Sequence, residues 1–344
     1  MSKMSNKICA LPFSDWTEAD RQAWLKACSA PERLRPGGAA ARLKPSTRTS
    51  LMRAYGYLLE FCRRNELLGE HSAAAGHVTP EIMEAFLGEL YHRVGSVTRM
   101  VYISKIRAMA AMLAPKRDSS WLADIEADLA YEARPRPKYH RIVSTERLVR
   151  VGLDLIRRGE TSEHLTLLAR ARLVRDGLMV ALLALCPIRL GNFARLQIGE
   201  QIRLVGEWWW ITLKGPETKS DRPDDRPIPA ILAEAMHRWV RVWRPVFHPS
   251  TNALWPSIKG GALAYTYVGH VLTETTRREL GVAINPHLFR DCGVYTVATH
   301  AGERMGIACG LLQHADPRST EKNYNKGAMF TAAARYQQIV DELT

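Results

Sequence analysis

Between Ser46 and Glu132 apolar residues recur with the spacing of helices. STRTSLMRAYGYLLEFCRRNEL places Leu51, Ala54, Tyr55, Leu58 and Phe61 or Cys62 on one face, at intervals of three and four. TPEIMEAFLGELYHRV follows, with Thr79 as N-cap, Pro80 at the first helical position and Ile82, Phe86, Leu87 and Leu90 as its apolar stripe. SVTRMVYISKIRAMAAMLA predicts a third helix, ended by Pro115, and SSWLADIEADLAYEA a fourth. Residues 46–132 thus read as a small all-helical domain. Residues 1–45 read as an N-terminal extension. It holds one helix, DWTEADRQAWLKACSA, capped by Asp15 or Thr17, and a linker rich in Pro, Gly and base, PERLRPGGAAARLKPS.

RPRPKYHR (134–141) stops the helical pattern, and residues 133–143 read as a basic linker. The second domain, 144–344, opens at a helix capped by Ser144. A long apolar helix over roughly 163–185 and a short helical piece, GNFARLQI, come next. The period then changes. QIRLV and EWWWITL are strand-like and joined at Gly206, and PIP at 227–229 reads as a third short strand. Trp208, Trp209 and Trp210 must alternate between the two faces of a sheet, where packing is their expected work. Helical patterns resume at 230–243, 264–280, 287–301, 303–312 and 329–343. The expected fold class is mainly α with one small antiparallel sheet.

Composition adds a partner. The chain has 344 residues, 46% hydrophobic and 24% charged, with a net charge of +13. Its pI is near 9.6. An excess of this size points to a polyanion. A membrane surface would need a basic amphipathic helix or a lipidation motif, and neither is present. The longest apolar run, GLMVALLALCPI, ends at Arg189 and reads as a core helix. The N-terminus lacks a long apolar region and a small-residue cleavage site, so no secretory signal is expected. The six cysteines form no C-x-x-C pair, which predicts reduced thiols in the cytoplasm, with neither a disulfide framework nor a zinc site.

Candidate chemistry lies in four stretches of the second domain. CPIRLGNFARLQIG carries Arg189 after a helix end. ETKSDRPDDRPIP carries Lys219 in the loop after a strand. NPHLFRDCG carries His287 and Arg290 at i and i+3 of a helix start, on one face. LLQHADPRSTEKNY carries His314 and Tyr324. Each has a bland reading: Arg189 as a cation at a helix C-terminus, His287 and Arg290 as a surface pair, Tyr324 as a packing residue. Lys214, in the same hairpin, competes with Lys219, which sits deeper in the loop and reaches further from the sheet. Tyr336 competes with Tyr324 but has helical apolar neighbours and reads as packing.

The order of these groups resembles the tyrosine recombinases, the phage integrase family. The likeness covers the second domain, and the helical domain with its basic linker is similar to that family's core-binding domain. The resemblance implies that Tyr324 is a nucleophile forming a 3′-phosphotyrosyl bond and releasing a 5′-hydroxyl. It implies that Arg189 and Arg290 clamp the scissile phosphate, that His287 assists as base or donor, that His314 bonds the phosphate, and that Lys219 is the general acid. Chemistry supplies the reasons. A phenol with a pKa of about 10 needs help to lose its proton. Guanidinium forks stabilise charge growing on phosphate oxygens. A lysine can protonate the leaving oxygen. No metal or other cofactor is required. Asn192 stands where the family usually has an acidic residue, Asp291 where it often has a second histidine, and Gln313 where it usually has glycine. These mark a divergent branch.

The resemblance further implies duplex DNA as partner, two domains closing around it, a homotetramer on paired sites, a mobile-element origin and a place on the nucleoid. Arg99, Lys105 and Arg107 on the third helix, and Arg134, Arg136, Lys138 and Arg141 in the linker, are candidate phosphate contacts. Each is equally consistent with a solvated face. Two other readings stay open: a type IB topoisomerase, and a DNA-binding regulator that keeps the fold without cleaving.

Overall fold

The computed structural model describes residues 8–34, 36–69, 73–219, 221–301, 305–312 and Tyr336. The chain divides into two compact units, Met1–Arg136 and Pro137–Thr344.

The first unit is helical: α1 (Glu18–Ala27), α2 (Pro45–Arg64), α3 (Pro80–Arg93), α4 (Ser96–Leu113) and α5 (Trp121–Glu132). Thr17 caps α1, accepting from the Asp20 amide, and Thr79 caps α3, accepting from Ile82. The α2 stripe is buried as its spacing requires. On α3 the buried set is Met83, Phe86 and Leu90, with Ile82 and Leu87 only partly covered. The segment expected as a separate extension belongs to this core. Leu11, Trp16, Trp24, Ala27 and Ala40 are buried in the same cluster as Tyr55 and Leu58. Asp20 is fully buried and explains the attachment. It accepts from the Tyr55 hydroxyl at 3.1 Å and from the Ala75 amide at 2.7 Å. Burial, then the Asp20 carboxylate, pushes the Tyr55 phenol well above its ordinary range.

The second unit is built on α6 (Thr145–Thr161) and α7 (Leu167–Leu185), which pack along their length. Ser144 caps α6. Their crossing is close because both helices present glycine. A Cβ on Gly177 would stand 2.5 Å from the Gly152 carbonyl oxygen, and one on Gly152 would stand 2.6 Å from the Ala181 Cβ. After α7 come the four-residue α8 (Leu190–Phe193) and an antiparallel sheet, β1 (Ile202–Val205), β2 (Trp208–Leu213) and β3 (Asp224–Pro227), in that order. Gly206, at φ +61°, makes the tight β1–β2 turn that pairs Val205 with Trp208. Of the three tryptophans, Trp209 is buried in the core, while Trp208 is 53% exposed.

The third strand differs from expectation. It begins at Asp224, inside what reads as a charged loop, and ends at Pro227. The register pairs Ile211 with Arg226 and Leu213 with Asp224. Since Ile211 and Leu213 face the core, Asp224 and Arg226 face it too, and each neutralises the other there. The predicted helix at 230–243 is also broken. A 3₁₀ turn precedes α9 (Ala233–Arg238), which widens to a π turn over Trp239–Trp243 and tightens to 3₁₀ over Arg244–Phe247. Pro245 cannot donate to the helical ladder, which accounts for the change of period there. The unit closes with α10 (Tyr265–Leu280), α11 (Pro286–His300) and α12 (Met305–Leu312). Val294 and Ala298 of α11 pack against Ala308 and Leu312 of α12. The helix expected at 329–343 lies outside the described residues apart from Tyr336. Among the described residues no helix is long and apolar enough to cross a membrane.

Candidate active site

Arg189 is held by what lies on either side of it. α7 ends at Leu185, Pro187 prevents continuation, and Ile188 is buried. Arg189 then sits in extended backbone as the N-cap residue of α8, with its carbonyl accepting from Asn192 at 2.9 Å and Phe193 at 3.0 Å. Phe193 anchors the short helix in an aromatic nest. Its ring lies 5.1 Å from that of Trp255, and the Trp255 indole N–H donates to the Phe193 carbonyl at 2.9 Å. The helix-end explanation of Arg189 does not hold. The residue precedes a helix, where the dipole disfavours a cation. Its side chain is half-buried.

Arg290 projects from the first turns of α11 and is buried, at 7% exposure. Asn285 caps this helix, its side-chain oxygen accepting from the amides of His287 and Leu288, both at 3.1 Å. The Arg290 guanidinium bridges two distant segments. Nη1 donates to the carbonyl of Pro187, in the loop that carries Arg189, and Nη2 donates to the carbonyl of Leu312 at 2.8 Å. Its pKa is pushed down to about 10, first by burial and then by the charges of Arg189 and Arg226. Asp291 and Asp224 act in the opposite sense, without cancelling this. The bland reading of His287 and Arg290 as a surface pair therefore fails for Arg290, while His287, one turn earlier, is exposed.

Arg226 was not among the sequence candidates, yet it belongs to this cluster. Its Nε and Nη2 each donate to one oxygen of Asp224 at 2.7 Å, and its Nη1 donates to the Leu311 carbonyl at 3.1 Å. A signal existed in the sequence. Asp224 and Arg226 stand at i and i+2, which a strand would put on one face. The reading of RPDDRP as loop hid it. Asp291, next to Arg290, accepts from Lys138 Nζ at 2.6 Å, so this linker base is turned onto α11. Two thiols beside the cluster are disarmed as nucleophiles. Burial pushes Cys186 up to about 12 and Cys292 up to about 11. None of the six cysteines is in a disulfide.

The structure therefore brings Arg189 and Arg290 together and adds Arg226, with the Asp224 and Asp291 carboxylates beside them. Such a nest suits an anion with several oxygens. Lys219 lies on the β2–β3 connection with its side chain exposed, as is Lys214 at the end of β2. His314 and Tyr324 lie outside the described residues. Tyr336, read as packing, is 69% exposed.

Of the candidate phosphate contacts, Arg107 is paired with Glu126 at 2.6 Å. Arg99 lies 3.9 Å over the Tyr91 ring and donates to the Val94 carbonyl at 3.2 Å. Lys105 and Arg141 are half-buried, and Arg134 and Arg136 are exposed.

Comparison with known proteins bears on this arrangement. A curated relative, the tyrosine recombinase XerC of Haemophilus ducreyi, is 28% identical over 152 residues, which is 43% of this chain and 46% of that protein. The chain thus matches about half the length of that relative. Among solved structures, a XerH site-specific recombinase bound to its difH substrate in a pre-cleavage complex superimposes with a TM-score of 0.53 at 14% identity, over 81% of this chain and 76% of that one. In sequence over that span, and in fold, the chain resembles these tyrosine recombinases. No family model matches it. Asn192 is buried three residues after Arg189, and Asp291 is buried after Arg290. The Asp291 carboxylate is paired with Lys138.

Proposed function

We propose that the chain is a site-specific DNA strand transferase that works through a 3′-phosphotyrosyl intermediate. In this reading the Tyr324 phenol gives its proton to His287 and its oxygen attacks the scissile phosphorus, the bond from phosphorus to the 5′-oxygen breaks, and the 5′-hydroxyl leaves with a proton from Lys219. A 5′-hydroxyl from another strand then reverses the step, so the phosphodiester is conserved. Arg189 and Arg290 receive the non-bridging oxygens, with His287 and His314 beside them. The observation that supports this best is the buried Arg290 guanidinium, held against two like charges with its pKa lowered to about 10. Guanidiniums gathered this closely stabilise the extra negative charge of a pentacoordinate phosphorus. Pairing of duplex sites by a homotetramer, through the two strand exchanges, is part of the same proposal, as is action where the cell keeps its DNA.

The test uses duplexes with a randomised core and a nick that lets the short 5′-fragment diffuse away. Protein-linked DNA is recovered under denaturing conditions and its ends are sequenced. The proposal expects an adduct with one preferred sequence, absent from Tyr324→Phe. Tight binding without any adduct would make the chain a non-cleaving DNA-binding protein. Relaxation of supercoiled plasmid by the monomer, with no exchange between duplexes, would make it a topoisomerase.

A further inference from the structure

Arg226 and Asp224 lie on the core face of β3, with side chains 14% and 7% exposed. Charges in that position demand a reason beyond solubility, because desolvating an ion pair costs about as much as the pairing returns. The fork of Arg226 on Asp224 uses its Nε and Nη2, and leaves Nη1 for the Leu311 carbonyl. Arg290 takes the next carbonyl, that of Leu312. Both carbonyls belong to the last described residues of α12. Two guanidiniums from different elements therefore hold one stretch of that helix. They repel each other, as the lowered Arg290 pKa records. Asp224 on one side and the neighbouring Leu311 and Leu312 carbonyls between them oppose that repulsion. His314 follows Leu312 by two residues in the chain.

We infer that Arg226, locked by Asp224, is a positioning residue: it holds the Leu311–Leu312 stretch of α12 against Arg290, two residues ahead of His314 in the chain. With its fork spent on Asp224 and its remaining arm on a carbonyl, Arg226 grips protein rather than substrate. This rests on the strand-transfer reading for its consequence, though not for its geometry.

Arg226→Gln, Arg226→Lys and Asp224→Asn test it by two independent readouts. The first is amide hydrogen exchange in residues 306–312 against α7 as internal reference. The second is the single-turnover rate of adduct formation at saturating protein, on the nicked duplex selected by the wild-type chain, beside the Kd for that duplex. Arg226→Gln and Asp224→Asn are expected to speed exchange in α12 at least tenfold. They are expected to slow adduct formation about tenfold to a hundredfold with Kd changed by less than about twofold, and Arg226→Lys is expected to recover part of both. If Arg226→Gln fails to fold, Asp224→Asn carries the same expectations. Unchanged exchange overturns the inference. So does a loss confined to Kd, which would make Arg226 a DNA contact. A wild-type chain that forms no adduct sinks the strand-transfer reading, and the exchange contrast still decides whether Arg226 holds α12.

Discussion

Arg175 and Arg290 are buried arginines of the same unit, and their surroundings are opposite. Arg175, on α7, is 2% exposed. Its Nε and Nη2 meet Asp176 at 2.9 and 2.8 Å, its Nη1 meets the Pro256 carbonyl at 3.1 Å, and its guanidinium carbon lies 5.2 Å from the Phe247 ring centroid. Every direction is filled by a carboxylate, a carbonyl or a ring. Arg290 donates to two carbonyls, and burial and two nearby cations lower its pKa to about 10 against the opposing effect of Asp291 and Asp224. Neutralised positive charge in a core is structural. Guanidiniums gathered against one another are what the proposed phosphate site calls for.

The largest effect that could break this contrast is on the reaction. Arg290→Gln is expected to lower the rate of adduct formation about 10²–10³-fold, with the unit still folded by circular dichroism. An Arg290→Gln protein that cleaves normally would end the distinction. Arg175→Gln should do the reverse. Leaving Asp176 without its cation is expected to cost about 3–5 kcal/mol in chemical denaturation, with adduct formation near normal in the molecules that remain folded. A smaller stability effect, about 1–3 kcal/mol, is expected for Gly177→Ala, because the added methyl meets the Gly152 carbonyl. The pH dependence is the finest test. Arg290 has a folded pKa near 10, below the ordinary guanidinium range. Below pH 10 both folded and unfolded states hold the proton, and the cost of the buried charge is present in full. From pH 10 up to the ordinary guanidinium range the unfolded state binds more protons, so this group's contribution to stability rises with pH. Wild type should therefore gain stability relative to Arg290→Gln across that alkaline window, and a flat difference would contradict the charge assignment.

The helices were legible because their signals are local. The α2 stripe and the caps at Thr79 and Ser144 each need only a few neighbouring residues. The extension before α2 was not legible as core. Asp20 meets its partners at Tyr55 and Ala75, far along the chain, and nothing near Asp20 announces them. Within the site, Arg189 and Arg290 stood out by order and residue type. Arg226 did not, since a charged run between prolines looks solvated until the sheet register turns it inward.

From its residues alone, this chain determines its helical period, its caps, its basic charge and the order of groups able to handle a phosphate. Folding decides which of those groups share a volume, and which charges are answered. The reason is that the partners of Arg290 and Arg226 at Pro187, Leu311 and Leu312 are backbone carbonyls. Every residue has such a carbonyl, so only the path of the chain can say which one an arginine will find.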